Sequence, residues 1–135
     1  MSDDRLDTTP TAQKLKELRP LLLKFHKALM EAEREDYERI HGPIKNRGEY
    51  FQLVVGHEWF SWLRPISQFI AHMDTVLMSK EPVPSERFES LLEEARSLLT
   101  DSDTSVALEQ RYPTAIRLDP EIGLLRSQID ALVKA

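Results

Sequence analysis

The sequence predicts an all-α fold, a single-domain helical bundle of four to five helices in which two helices are long and kinked by proline. Apolar residues recur three and four positions apart over most of the chain, and no stretch of useful length alternates like a β-strand. Prolines and glycines fall at intervals that suit helix starts and stops. With 135 residues the chain has room for one core. We assign residues 1–9 to a flexible N-terminus and residues 10–135 to the domain.

The first helix is expected over Pro10 to about Ile40. Thr8 or Thr9 can cap it, and proline is tolerated at its first position because that N–H has no partner within the helix. The sequence His41-Gly42-Pro43 is typical of a helix end. Pro20 leaves two alternatives, a kink in one helix or a break between two. The expected inward face consists of Leu15, Leu18, Leu22, Phe25, Leu29, Asp36 and Ile40.

A second long helix is expected from about Glu49 to Ser79. Its apolar surface covers nearly half of the helix circumference, so we expect this helix to be central in the bundle. Gly56 is a weak point that can end one segment and start another, and Pro65 should kink the helix. The apolar seam is Val55, Trp59, Trp62, Ile66, Phe69, Met73 and Val76, widened by Phe60, Leu63, Ile70 and Leu77.

Shorter helices are expected to follow the stiff connector 80–84. Ser85 can cap a helix that runs to about Leu99. Asp101-Ser102-Asp103 can start a short helix that ends before Pro113, and Asp119-Pro120 suits the start of the last helix. The expected inward residues are Phe88, Leu91, Leu92, Ala95, Leu98 and Leu99 in the third helix and Ile122, Leu125, Ile129 and Leu132 in the last.

The composition excludes several kinds of chemistry. The chain has no cysteine, so it forms no disulfide and no cysteine-type zinc site, and it has no thiol nucleophile. Its four glycines form no phosphate-binding loop. A ferritin-like di-iron site needs two E-x-x-H pairs, and only Glu38 and His41 make one. We therefore predict no metal, no cofactor and no catalytic residue, and we expect a protein that is not an enzyme.

The charge balance indicates which partners to expect. A net charge of −5, with Lys45 and Arg47 as the only basic cluster, argues against nucleic acid binding. The longest apolar stretch, Leu53 to Leu77, is interrupted by charged residues, and the N-terminus lacks the pattern of a secretory signal. We expect a cytoplasmic protein that does not bind membranes.

His26, Glu33 and Tyr37 form the first candidate ligand site, because all three project from the apolar arc of the first helix. Asp36 lies at the other edge of that arc. A buried carboxylate is costly without a partner, so one interpretation is a polar layer or ligand site in the core. The interpretation we favour is that Glu33, Asp36 and Tyr37 lie beyond the packed length and face water, while His26 makes one structural hydrogen bond.

Trp59, Trp62 and Arg64 form the second candidate site. Two tryptophans three residues apart offer aromatic walls and two N–H donors. Arg64 could then anchor an anion. The alternative, which we favour, is core packing by the tryptophans and a surface position for Arg64.

The segment Trp-Phe-Ser-Trp-Leu-Arg-Pro-Ile-Ser at 59–67 precedes Arg111-Tyr112 and Asp119-Pro120. This pattern resembles uncharacterised bacterial all-helical proteins of about this length that carry a W-F-x-W-L-R-P segment. The resemblance spans most of the chain from the first helix onward. It implies a bacterial cytoplasmic protein, and it implies no activity, cofactor or catalytic residue.

The sequence therefore predicts a small helical-bundle protein that acts through protein–protein association, either as a homodimer or with another protein. Two long helices flanked by shorter ones can leave an apolar seam uncovered. The alternative is a bundle that binds a small molecule or metal at a polar site in its core.

Overall fold

The structure, a computed structural model, describes residues 9–134. Apart from Thr9, the predicted flexible segment 1–9 lies outside the described residues, as does Ala135. The described range contains seven α-helices and no β-strand, so the all-α prediction is confirmed and the prediction of four to five helices is wrong. The helices are α1 Pro10–His41, α2 Arg47–Gly56, α3 Glu58–Ser61, α4 Arg64–Leu77, α5 Ser85–Thr100, α6 Asp103–Leu118 and α7 Glu121–Lys134.

Helix α1 begins and ends at the residues that its local chemistry predicts. The Thr9 hydroxyl accepts a hydrogen bond from the backbone N–H of Ala12 at 3.2 Å, and Pro10 occupies the first turn. Gly42 ends the helix at φ 93° and ψ 169°, a conformation that is essentially restricted to glycine. The helix is 32 residues long, which gives it a length of about 48 Å.

Prolines inside α1 and α6 do not end these helices. Pro20 lies within the continuous α1, so the alternative of two separate helices is wrong. Helix α6 continues past Pro113 to Leu118, although we expected it to end before this proline. Both prolines are exposed, so the backbone carbonyls that they leave without a helical donor are on the water-facing side of each helix.

The predicted second long helix is three separate helices, α2, α3 and α4. The backbone at His57 is extended, with φ −91° and ψ 142°, and its Nδ1 accepts a hydrogen bond from the N–H of Trp59 at 3.0 Å. His57 therefore ends α2 and caps α3. A turn at 62–63 separates α3 from α4, and Pro65 lies in the first turn of α4, where proline starts a helix instead of kinking one.

Helix α1, and not the second helical region, is central in the bundle. It packs against α3, α4, α5, α6 and α7. The break at His57 divides the second region into separate helices, of which α3 and α4 pack against α1. Two residues expected to face inward, Ile40 and Val55, are exposed. The largest fully buried side chains are Phe25, Phe60, Phe88, Leu15, Leu18, Leu22, Leu29, Leu63, Ile66, Met73, Leu91 and Leu108.

The last three helices follow the predicted order with small shifts at their ends. Pro84 precedes α5, so Ser85 is its first residue and not its cap. Ser102 caps α6 through a reciprocal pair of hydrogen bonds with Ser105. In α7 the seam ends on Val133, which is fully buried, while Leu132 is half-buried.

Replacing Gly42 with alanine is expected to lower the free energy of unfolding by about 1–3 kcal/mol, because a Cβ disfavours its backbone conformation. Gly56→Ala is the matched control, since it lies at the end of α2 without positive φ. This control should raise stability by about 0.4–1 kcal/mol. Urea denaturation of the two variants measures both changes. Equal changes in the two variants would contradict the assigned conformation of Gly42.

Candidate functional site

Two carboxylates of α1, those of Glu33 and Asp36, are buried, with 4% and 9% of their surface exposed. The expectation that both face water is therefore wrong. Helices α3 and α6 pack on this part of α1, so its packed length extends further than the apolar seam suggested. A buried carboxylate needs hydrogen-bonding or charged partners, and these two helices help to supply them.

Both tryptophans donate hydrogen bonds to Glu33. Trp62 Nε1 donates to the carboxylate Oε2 at 3.2 Å, and Trp59 Nε1 donates to the backbone carbonyl at 3.2 Å. The carbonyl of Trp62 accepts a hydrogen bond from Thr104 Oγ1 of α6, also at 3.2 Å. The two tryptophans are half-buried, so they join α3 and its following turn to α1 at the edge of the core. Residues from both ligand sites that the sequence suggested therefore meet, Glu33 from the first and the two tryptophans from the second.

Arg111 of α6 supplies a cation that the sequence analysis did not select. Its Nη1 lies 3.4 Å from Glu33 Oε2 and 4.0 Å from Asp36 Oδ2. Its guanidinium carbon lies 4.6 Å from the centroid of the Trp59 ring, a cation–π contact. The sequence feature that could have indicated such a cation was the pair of acidic residues, Glu33 and Asp36, on the apolar arc of α1. Carboxylates buried on that arc require a cation from another helix. We call Glu33, Asp36, Trp59, Trp62 and Arg111 the Glu33 cluster.

The charges of the cluster are balanced by a second arginine. Arg39 donates to Asp36 Oδ1 from Nη2 at 2.7 Å and from Nε at 3.1 Å. Two guanidinium groups therefore face two carboxylates. Burial nevertheless raises the pKa of Glu33 above its ordinary value, because the charged form loses hydration. The hydrogen bond from Trp62 and the charge of Arg111 oppose this shift, and the charge of Asp36 adds to it.

Tyr37 lies beside the cluster in a group of aromatic rings. Its ring stacks on His41 at 4.4 Å between centroids and meets the edges of Trp59 and His57 at 5.7 Å each. The Phe60 ring is 5.9 Å away. Tyr37 is half-buried, so the expectation that it simply faces water is also wrong. Its contacts pack the end of α1 against α3.

His26 lies in a different environment, in a groove between α1 and α2 that Tyr50 also lines. Burial lowers the pKa of His26 below its ordinary value, and a hydrogen bond with the backbone of Leu63 opposes this shift. Glu33 directs its carboxylate toward Trp62 and Arg111 instead. Over residues 9–134, no group of three or more histidine, aspartate or glutamate side chains is placed to hold a metal ion.

Arg64 binds backbone carbonyls. Its Nε donates to the carbonyl of Val54 at 3.2 Å, and its Nη2 donates to that of His57 at 3.3 Å. These are carbonyls at the carboxyl end of α2, so the guanidinium that we considered as an anion anchor fixes this helix end relative to α4.

The outer face of α2 is a second candidate site, and it is a surface instead of a pocket. None of the ten residues of α2 is buried. Phe51 is 65% exposed and Val55 is 53% exposed, and they lie one turn apart with Arg47 a turn before them. We define these three residues as the outer face of α2. Tyr50, which projects about 100° around the helix from Phe51, holds α2 to the bundle, and its ring lies 6.0 Å from that of Phe60.

No family model, curated protein or solved structure matches the chain. The resemblance to bacterial proteins with a W-F-x-W-L-R-P segment therefore stays a prediction. Among the helices that the structure describes, none is both long and apolar enough to span a membrane.

Proposed function

We propose that this protein acts by binding another protein chain through the outer face of α2. The observation that carries the proposal is that α2 buries none of its ten residues and still presents Phe51 and Val55 to water. Moving such side chains out of water is worth about 1.5–3 kcal/mol each. The chain would do this as a cytoplasmic protein without catalytic activity.

The position of this surface supports the proposal. A helix of ten residues is marginal in water on its own, so α2 depends on the contacts that hold its inner side. Arg64 binds its carboxyl end, and Tyr50 packs on Phe60. The apolar outer face is thus held on a supported helix, which reduces the entropy lost when a partner binds.

The alternative, a ligand site in the core, has less support from the Glu33 cluster. The carboxylates of Glu33 and Asp36 face arginines, and both tryptophan N–H groups are used by Glu33. Polar groups that bind each other inside the protein have little left to offer a ligand. We interpret the cluster as the structural element that holds α3, and through it α2, against the bundle.

Photocrosslinking tests the proposal whatever the partner is. We would replace Phe51 with the photoreactive amino acid p-benzoylphenylalanine in cells that express the full chain. Leu124 on α7, which is 60% exposed, is the matched control position. Irradiation should produce several-fold more covalent adduct with a second protein molecule from position 51 than from position 124. Equal yields at the two positions, or no adduct at position 51, would exclude α2 as the binding surface.

A further inference from the structure

The corner between α2 and α3 depends on the side chain of one histidine. His57 ends α2 and caps α3, because its Nδ1 accepts a hydrogen bond from the backbone N–H of Trp59 at 3.0 Å. A backbone N–H can only donate, so Nδ1 carries no proton in this arrangement. The side chains that usually cap helices are those of serine, threonine, asparagine and aspartate. Histidine differs from all of these in gaining a proton between pH 5 and 8, so a histidine cap can lose its acceptor in this range.

We propose that His57 is a pH-sensitive switch, whose protonation releases the first turn of α3 and loosens the corner that carries α2. An imidazolium has N–H groups at both ring nitrogens, so a protonated His57 cannot accept the hydrogen bond from Trp59. The juxtaposition that carries the inference is an unprotonated ring nitrogen against the backbone N–H that it caps. The inference goes beyond the proposed function, because it concerns the joint between α2 and α3 and holds whatever α2 binds.

The capped residue lies where the effect of its release would spread. Trp59 donates its indole N–H to the carbonyl of Glu33 at 3.2 Å, and the Arg111 guanidinium lies over its ring. Helix α3 has only four residues, so few backbone hydrogen bonds of its own keep this turn in place. On the other side of the corner, the N–H of His57 donates to the carbonyl of Leu53 at 2.9 Å and so ends α2. Loss of the cap therefore acts both on the docking of Trp59 and on the end of α2.

The titratable and charged groups around His57 come from three helices. From α1, the ring of Tyr37 meets that of His57 edge-on at 5.7 Å, and His41 stacks on Tyr37. From α4, Arg64 donates to the backbone carbonyl of His57 at 3.3 Å, so a cation is already bound at this residue. In α3, Glu58 follows His57 directly, while the last turn of α2 contains only uncharged residues. His57 is exposed, so its protonated ring can turn away from the cap toward Glu58 and water.

Amide hydrogen exchange of the purified full chain, resolved by NMR, tests the proposal. Protection factors compare each rate with that of an unstructured chain at the same pH, which removes the intrinsic effect of pH on exchange. Between pH 7.5 and pH 5, the protection of α3 and of the last turn of α2 should fall by about 2- to 30-fold, the equilibrium effect of losing one helix cap. Protection in α7 should fall much less.

Two variants assign the change to His57. His57→Asn is the matched variant, because asparagine caps helices and does not titrate, so its corner should keep its protection at pH 5. His41→Gln removes the neighbouring histidine and leaves the cap, so it should behave like the wild type. All three proteins retain Glu33, so a contribution from that carboxyl is common to them. Melting curves at pH 7.5 establish that both variants fold.

The wild type alone supplies a further check that requires no variant. The backbone amide resonance of Trp59 should shift together with the ring nitrogens of His57 as the pH is lowered. The proposal is overturned by a wild-type corner that keeps its protection at pH 5, or by an equal loss in His57→Asn. It is also overturned by a Trp59 amide resonance that does not follow the titration of His57.

Discussion

Replacing Phe60 with alanine is expected to lower the free energy of unfolding by about 3–5 kcal/mol, the cost of truncating a fully buried phenylalanine. Phe60 is 0% exposed, although α3 has only four residues. Its ring lies between those of Tyr37 and Tyr50, 5.9 Å and 6.0 Å away. The truncation therefore leaves a cavity where α1, α2 and α3 meet. Urea denaturation followed by circular dichroism measures the loss.

The control for this experiment is Phe51→Ala, which removes the same atoms from an exposed position. It should change the unfolding free energy of the monomer by less than about 0.5 kcal/mol. Comparable losses in the two variants would contradict the placement of Phe60 in the core and Phe51 on the surface. Amide exchange adds a local test, because the cavity should reduce protection in α2 more than in α7.

Replacing Glu33 with alanine is expected to cost about 3 kcal/mol or more, since it removes one member of a buried, hydrogen-bonded charge pair. The change leaves the Trp62 N–H without its acceptor and takes the closer carboxylate away from Arg111. Glu33→Gln is the matched variant, because its amide keeps the shape and an oxygen that accepts from Trp62. It should cost much less than the alanine variant at pH 7.

The difference in unfolding free energy between Glu33→Gln and wild type should depend on pH, and its sign follows from the raised pKa of Glu33. The folded protein favours the protonated carboxyl more than the unfolded chain does. This group therefore lowers wild-type stability as the pH rises from its ordinary value of 4.5 through its folded value. Glutamine does not titrate, so the stability of Glu33→Gln relative to wild type should increase over that window.

Unfolding measured in urea at pH 4 to 7 checks both statements. The free energy of unfolding of Glu33→Gln relative to wild type should be lowest at the acid end, where the wild-type carboxyl is most protonated, and should rise with pH. A pH-independent difference would show that the Glu33 carboxyl titrates normally. A loss below about 1 kcal/mol in Glu33→Ala would show that the pair with Arg111 contributes little to stability.

The start and end of α1 could be predicted from the sequence because each depends on local chemistry. A threonine cap, a first-turn proline and a terminal glycine determine them within a few residues. The break between α2 and α3 was predicted only as an alternative, through Gly56, at which one segment can end and another begin. The apolar spacing of three and four residues continues through the break, so the spacing alone favoured one long helix.

The sequence predicted the candidate site only in part. Glu33 and the two tryptophans were selected by residue type, but as members of separate sites, because they are 26 and 29 positions apart in the chain. Arg111 was missed because the spacing of residues along α1 does not show which distant helix supplies the cation that faces Glu33. The exposed Phe51 could be recognised only once α2 was known to be separate from α4.

The convergence of the chain's two tryptophans on Glu33 has a practical consequence for spectroscopy. Intrinsic fluorescence comes from a single region of this protein, the junction of α3 with α1, and both indoles lie near the guanidinium or carboxylate of the cluster. Emission therefore reports whether this junction is docked, while α5 and α7 contribute no tryptophan signal. Together with circular dichroism, which averages over all helices, it separates local opening of one end of the bundle from its global unfolding.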